Sequence, residues 1–396
     1  MRYFGRRDFL KSSILGASGL AMANRPAVAG SIGTDRPVIT RTLGKTGLEL
    51  PVISMGVMNA DNPGLLRLAY EKGIKHFDSA HSYQGGNNEK MCGEFFRNKP
   101  RDSYVISTKV LPPGLDWATG QIGNEFAAET YISMFETSLK RLQIDYVDIF
   151  YQHVVSREES VLRDDVLGAM QKMKDQGKAR FIGVSTHNNQ EEVIRAATRS
   201  NIYDVVLVGY NFMQDNHAEI SRAMAEGAAA GMGYIGMKTM AGGFLDEEKT
   251  KPVNPVAALK WVLQDPSICT CIPGFTAYDH IETDLEVMYD ITLTPGEKSE
   301  LVGGQEYAGL FCQGCNACEK QCSRGYPVPD LMRSYMYAYG YSDLKKARQV
   351  LETRGIDVNP CEGCFSCNVK CARNFPVSDR ISKIARLMAV PDDFIV

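Results

Sequence analysis

Eight cysteines in the last quarter of the chain have spacings that carry chemistry. Cys312, Cys315, Cys318 and Cys322 are followed by Pro327-Val328. Cys361, Cys364, Cys367 and Cys371 are followed by Pro376-Val377. Every matched position is offset by 49 residues, which marks an internal duplication. Three thiolates at two-residue gaps can wrap three corners of an iron–sulfur cube, and the fourth of each run normally serves the other cluster. Two four-cysteine zinc sites or a set of disulfides are the alternatives. Zinc needs only four thiolates and has no preference for the doubled three-cysteine run. A second group is dispersed: Asp78, Tyr83, Lys109 and His153 each stand at or just after the end of a short apolar run. A phenol, an ammonium, a carboxylate and an imidazole in one pocket could move a proton onto a carbonyl oxygen. The alternative is that Asp78 and Lys109 form a barrel-stabilising ion pair without catalysis.

Elements able to position these groups alternate between residue 50 and about 290. Brief apolar runs at Val52–Gly56, Ile74–Asp78, Tyr104–Thr108, Tyr146–Tyr151, Phe181–Val184, Val205–Val208, Tyr234–Met237 and Cys269–Ile272 read as buried parallel strands. Helical periodicity separates them, as in Glu129–Gln143, Val161–Gly177, Asn254–Gln264 and Tyr278–Tyr289. Eight such units predict an α/β fold, a (β/α)8 TIM barrel, with its chemistry at the C-terminal strand ends. The rival is a doubly wound open sheet. Its glycine fingerprint is matched in letters at 231–236, but that stretch leads into a strand instead of leaving one.

The stretches Phe77-Asp78-Ser79-Ala80-His81-Ser82-Tyr83, Ile106-Ser107-Thr108-Lys109 and Asp148-Ile149-Phe150-Tyr151-Gln152-His153 resemble the aldo-keto reductase family. So do Ile182-Gly183-Val184-Ser185, Tyr210-Asn211 and Ile272-Pro273-Gly274. The resemblance implies a catalytic tetrad of Asp78, Tyr83, Lys109 and His153. Tyr83 would be the acid–base, with Lys109 lowering its pKa and Asp78 orienting Lys109. His153 would donate to the carbonyl oxygen. It also implies hydride exchange between a nicotinamide and a small carbonyl or alcohol, with Ser185, Tyr210, Asn211 and Lys238 on the cofactor side. Departures stand at Leu207, where the family carries Gln, at Met237, where it carries an aromatic ring, and in the loop after Gly274, which lacks the usual cation. NADP and NAD both stay open.

The cysteine region resembles a two-cluster bacterial ferredoxin. That likeness implies two [4Fe–4S] clusters, one on Cys312, Cys315, Cys318 and Cys371, the other on Cys361, Cys364, Cys367 and Cys322. Ser323 and Ala372 occupy the places where proline usually follows the fourth cysteine. The 38-residue spacer has helical periodicity at Leu331–Tyr335 and Leu344–Leu351, so a mostly helical ferredoxin-like domain is expected. Its tyrosines Tyr335, Tyr337, Tyr339 and Tyr341 read as packing. Cys92 reads as core, and Cys269 and Cys271, two apart in a strand, should share one face.

The N-terminus carries Arg6-Arg7, a mildly apolar stretch from Ser12 to Ala23 and Ala27-Val28-Ala29. It resembles a twin-arginine (Tat) export signal. Export through the Tat translocase to the periplasm is then expected. A disordered basic tail is the alternative. The domains expected are 1–29 signal peptide, 41–295 barrel and 300–396 iron–sulfur domain. The 396 residues carry 44 basic and 47 acidic side chains, a net charge of −3, which gives no basic signature for nucleic acid. No apolar run reaches membrane-spanning length. A redox partner protein is expected for the clusters. The alternative function is an electron-transfer or partner-binding protein built on a catalytically inactive barrel.

Overall fold

The structure is a computed structural model that describes residues 36–116, 120–245, 250–306, 311–312, 314–341, 343–364, 367–391 and 395. The export-signal expectation falls on residues 1–29, outside those described. Residues 38–396 form one compact unit.

A hairpin of β1 (Thr40–Thr42) and β2 (Glu49–Pro51) comes first. Then β3 (Met55–Gly56), α1 (Pro63–Glu71), β4 (His76–Asp78), α2 (Asn87–Phe96) and β5 (Val105–Val110) follow. A second hairpin, β6 (Leu115–Asp116) and β7 (Gln121–Ile122), precedes α3 (Ala128–Leu142). Next are β8 (Val147–Gln152), α4 (Glu158–Val161), α5 (Asp164–Asp175), β9 (Ala179–Thr186), α6 (Gln190–Ser200) and β10 (Val205–Gly209). The alternation ends with α7 (His217–Ala229), β11 (Gly233–Met237), α8 (Pro255–Leu263), β12 (Ile268–Cys271) and α9 (Tyr278–Leu285).

Eight of these strands form one parallel sheet in the order β12-β11-β10-β9-β8-β5-β4-β3. Parallel bridges between Ile53 and Cys271 and between Gly56 and Gly274 close it into the expected barrel. The first hairpin plugs the lumen at the N-terminal end. Leu43, Leu48 and Leu50 pack there against the inward-facing Ile149, Val205, Leu207 and Ile235, and Lys45 N–H donates to the Gly231 carbonyl at 2.7 Å. A plugged bottom leaves the C-terminal strand ends as the open face.

One face assignment is corrected. Tyr234 pairs with Ile268 but Ile235 pairs with Thr270, so β12 carries a bulge at Cys269. The extra residue flips the alternation. Cys269 packs in the lumen with Leu207, and Cys271 packs outward in the layer beneath the helices.

The C-terminal segment is helical, with α10 (Pro295–Glu306), α11 (Val328–Tyr339), α12 (Leu344–Thr353) and α13 (Val377–Ala385). Its core is Leu331, Ala347, Leu351, Ile356, Ile381 and Ile384. The duplication is visible in the backbone. Pro327 (φ −77, ψ 76) precedes α11 and Pro376 (φ −74, ψ 77) precedes α13. Gly314 (φ 77) matches Gly363 (φ 69), and Gly325 (φ 74) matches Asn374 (φ 58). This segment caps the barrel mouth. Arg157 bonds Glu319 at 2.5 Å, Arg373 bonds Asp215 at 2.8 Å, and Asn316 Nδ2 donates to Asn189 Oδ1 at 3.3 Å.

Candidate active site

Asp78 ends β4, Tyr83 opens the turn after it, Lys109 lies one residue before the end of β5, and His153 follows β8. Lys109 Nζ donates to Asp78 Oδ2 at 2.5 Å and to the Ser79 carbonyl at 2.6 Å. It stands 3.4 Å from the Tyr83 hydroxyl. Ser107 Oγ donates to the other carboxylate oxygen, Oδ1, at 2.5 Å, so Asp78 is held from both sides. The Tyr83 and His153 rings are edge-on at 6.0 Å. Asp78, Tyr83 and His153 line one cavity of about 220 Å³. The structure therefore brings all four residues together.

Strained backbone aims the imidazole. Val154 has φ 60, unfavourable for a β-branched residue. Its N–H donates to Ser185 Oγ at 2.9 Å, which holds the turn. His153 Nδ1 is buried with no hydrogen-bond partner among the described residues. Burial, then the charges of Lys109, Lys346 and Lys238, hold His153 well below its ordinary pKa, so the ring is neutral.

The phenol departs from expectation. Burial, reinforced by Asp78 and Tyr337, raises Tyr83 well above the ordinary tyrosine value. Tyr83 is therefore a neutral O–H donor across the physiological range. Burial also lowers Lys109, against the opposing pull of Asp78.

Of the four residues expected on the cofactor side, only Lys238 lines this cavity. Ser185 is buried and accepts from Val154. Tyr210 packs on Trp261 with ring centroids 5.2 Å apart. Asn211 donates to the Lys238 carbonyl at 3.2 Å and accepts from Met213 N–H at 3.0 Å. Leu207 is in the lumen core.

The cap supplies cavity residues that the sequence reading assigned no role or took as packing: Arg333, Tyr337, Tyr341, Lys346 and Arg354. Lys238 Nζ lies 5.0 Å from the Tyr337 ring centroid and 4.9 Å from that of Tyr341. The available signal was Arg333, Tyr337 and Tyr341 at four-residue spacing, one face of a helix and the turn after it. Tyr335 and Tyr339 point elsewhere and stack on each other at 4.4 Å, which is the packing role expected for them.

The cysteines fall into two neighbourhoods. Cys322, Cys361, Cys364 and Cys367 line one cavity of about 200 Å³. Cys318 is pushed up to about 12 by burial, then by Cys312, Cys315 and Cys371. Each neighbourhood thus combines three thiols of one run with the fourth of the other. Gln321 Oε1 accepts from Lys370 N–H at 2.7 Å, joining equivalent positions of the two repeats. Among the described residues no three His, Cys, Asp or Glu side chains close around a single ion. A small cavity next to the catalytic one is lined by Cys312, His187, Lys238, Arg333 and Tyr341.

Comparison with known proteins places this geometry. L-glyceraldehyde 3-phosphate reductase of Escherichia coli (strain K12) is 34% identical over 161 residues, covering 37% of this chain and 45% of that protein. L-galactose dehydrogenase of Arabidopsis thaliana is 33% identical over 160 residues, covering 37% of this chain and 47% of that one. The chain thus spans about half the length of these curated relatives. A solved aldo-keto reductase from Bacillus halodurans in its holo form superposes with a TM-score of 0.56 at 21% identity, over 68% of this chain and 96% of that chain. An aldo-keto reductase from Klebsiella pneumoniae, solved in complex with NADPH, superposes at 0.52 with 20% identity, over 69% and 96%. These likenesses show the fold. The profile of the Aldo/keto reductase family matches residues 57–257, half of the sequence, and the chain belongs to that family.

Proposed function

We propose that this chain is an oxidoreductase that exchanges hydride between a small carbonyl or alcohol and a nicotinamide, with two [4Fe–4S] clusters in the cap as a route for single electrons. The observation that carries the reading is a shared wall. Lys238, Arg333, Tyr341 and His187 line both the cavity of Tyr83 and His153 and the smaller one beside Cys312.

The side chains supply the proton chemistry. Tyr83 O–H is the donor to an alkoxide forming at the substrate carbonyl. Neutral His153 donates a hydrogen bond to the same oxygen as charge grows there. Lys109, anchored by Asp78 and the Ser79 carbonyl, stabilises the phenolate left behind. In the oxidative direction the same groups return the proton.

The segments Met237–Met240 and Ile272–Gly274 leave the ends of β11 and β12 and face the cavity, and they fit a nicotinamide nucleotide. When bound, it supplies or accepts hydride at the substrate carbon. NADPH in the Klebsiella pneumoniae relative supports this choice over none; NADP against NAD is part of the test. The cavity of four thiols fits a multi-iron core better than one ion, and Cys312, Cys315, Cys318 and Cys371 would hold the second. The twin-arginine-like start suits export of a chain already folded around cofactors. An exported enzyme meets no cytoplasmic nicotinamide pool, so the nucleotide travels bound or electrons enter from a redox partner through the clusters.

Anaerobic purification with iron, sulfide and nucleotide analysis tests the reading, followed by NADH or NADPH addition. Bleaching of the cluster absorbance by either nucleotide is expected. Tyr83→Phe should lower carbonyl turnover by about 10²–10⁴-fold while cluster absorbance survives. The inactive-barrel alternative draws on the engaged Ser185 and Asn211 and on Leu207; under it Tyr83→Phe changes nothing.

A further inference from the structure

We propose that the cap gives the catalytic cavity a site for an anionic group of the substrate, a carboxylate or phosphate a few atoms from the carbonyl, held by Lys238, Arg333 and Lys346. The substrate class is then a small oxo acid or hydroxy acid, or a phosphorylated aldehyde, ketone or alcohol. The carbonyl half rests on the oxidoreductase reading above; the anion half rests on the cap alone.

Lys238 follows β11, Arg333 lies on α11 and Lys346 on α12, so three separate elements converge on the cavity that holds Tyr83 and His153. Asp78 is the one carboxylate in that wall among the described residues, and it is bonded to Lys109. Behind the wall, Asp330 pairs with Arg354 at 3.2 Å and lies 3.9 Å from Arg333. Arg333 Nη2 is buried and has no hydrogen-bond partner among the described residues. Lys346 Nζ donates to the neutral amide of Gln349 at 3.1 Å. Lys238 lies over the Tyr337 and Tyr341 rings.

Cations gathered in a half-buried wall, with too few counter-charges, are costly unless a ligand supplies the acceptor. A guanidinium fork with a free N–H matches the oxygens of a carboxylate or phosphate. The location points to substrate, since Lys346 and Lys238 act on His153 itself.

The test uses the full chain reconstituted anaerobically. It compares kcat/KM for 4-oxobutanoate with butanal, and for glycolaldehyde phosphate with glycolaldehyde. At least one anionic partner should be preferred by about tenfold or more, and which pair shows it tells carboxylate from phosphate. The preference should shrink by a similar factor in Arg333→Gln and in Lys346→Gln. The second variant covers loss of folding in the first, because Lys346 is half-buried and its ammonium bonds the exposed Gln349. Calorimetric titration with succinate and with inorganic phosphate reads the site without turnover, and the binding should weaken in Lys346→Gln. Anion binding without carbonyl reduction leaves the site standing and removes the oxidoreductase reading. Carbonyl reduction without charge preference or anion binding removes the site and leaves the other. Variants that weaken NADPH binding or shift the cluster potential while the preference stays intact overturn the proposal, since the cations then serve the nucleotide or the clusters.

Discussion

The ammonium of Lys238, on the barrel, stands 5.0 Å from the ring centroid of Tyr337, on the cap. Burial alone would raise this phenol, but Lys238, Lys346 and Arg333 outweigh it and hold Tyr337 below the ordinary tyrosine value. Tyr83, in the same cavity, is shifted the other way. Ultraviolet titration should therefore show an early phenolate step, below pH ~10. Tyr337→Phe should remove it and Tyr83→Phe should not. An early step that survives Tyr337→Phe would contradict this pairing.

On the proposed two-cluster reading, each fourth cysteine controls the cluster of the other run. Cys371→Ser should disrupt the cluster on Cys312, Cys315 and Cys318, and Cys322→Ser the one on Cys361, Cys364 and Cys367. Each variant should lose about half its iron, since one of two equal clusters goes. Paramagnetic resonance of the reduced protein should show a different signal lost in each. Purification with stoichiometric zinc and no sulfide would refute the assignment.

Attachment of cap to barrel depends on Gly242, whose φ is 105 and whose added Cβ would lie 2.5 Å from the Phe311 ring. Gly242→Ala meets both backbone strain and a ring clash, at a cost of about 1–3 kcal/mol. A lower melting temperature and faster proteolysis in the C-terminal segment are expected. Wild-type protease resistance would mean that Phe311 does not anchor the cap.

His76 is fully buried, bonds Ser107 Oγ at 2.9 Å, and is lowered to about 4, chiefly by burial. The unfolded chain binds a proton there from about pH 6.5 downward and the folded one only near pH 4. The contribution is complete above pH ~6.5 and is lost as pH falls toward 4. Between pH ~7.5 and ~5.5 the loss is about 1 kcal/mol. Urea midpoints at these two pH values should converge in His76→Gln; an unchanged pH slope would assign the loss to other groups.

Parallel strands buried on both faces are short apolar runs, so the barrel and the ends where Asp78, Lys109 and His153 emerge could be read locally. Cysteine spacing is equally local, and the 49-residue repeat reappears as matched Pro327 and Pro376 backbones. These features depend on neighbours along the chain, and the sequence by itself determined them. The tertiary structure alone decided what crosses between distant elements. A four-residue stripe such as Arg333-Tyr337-Tyr341 looks the same whether it faces solvent, core or a cavity, and only docking onto the barrel mouth turns it toward Tyr83. Burial within the cavity, with Asp78 and Tyr337, raises Tyr83, the reverse of the direction expected from Lys109 alone. A single bulge likewise sends Cys269 and Cys271 to opposite faces, since side-chain alternation survives only while the strand register does.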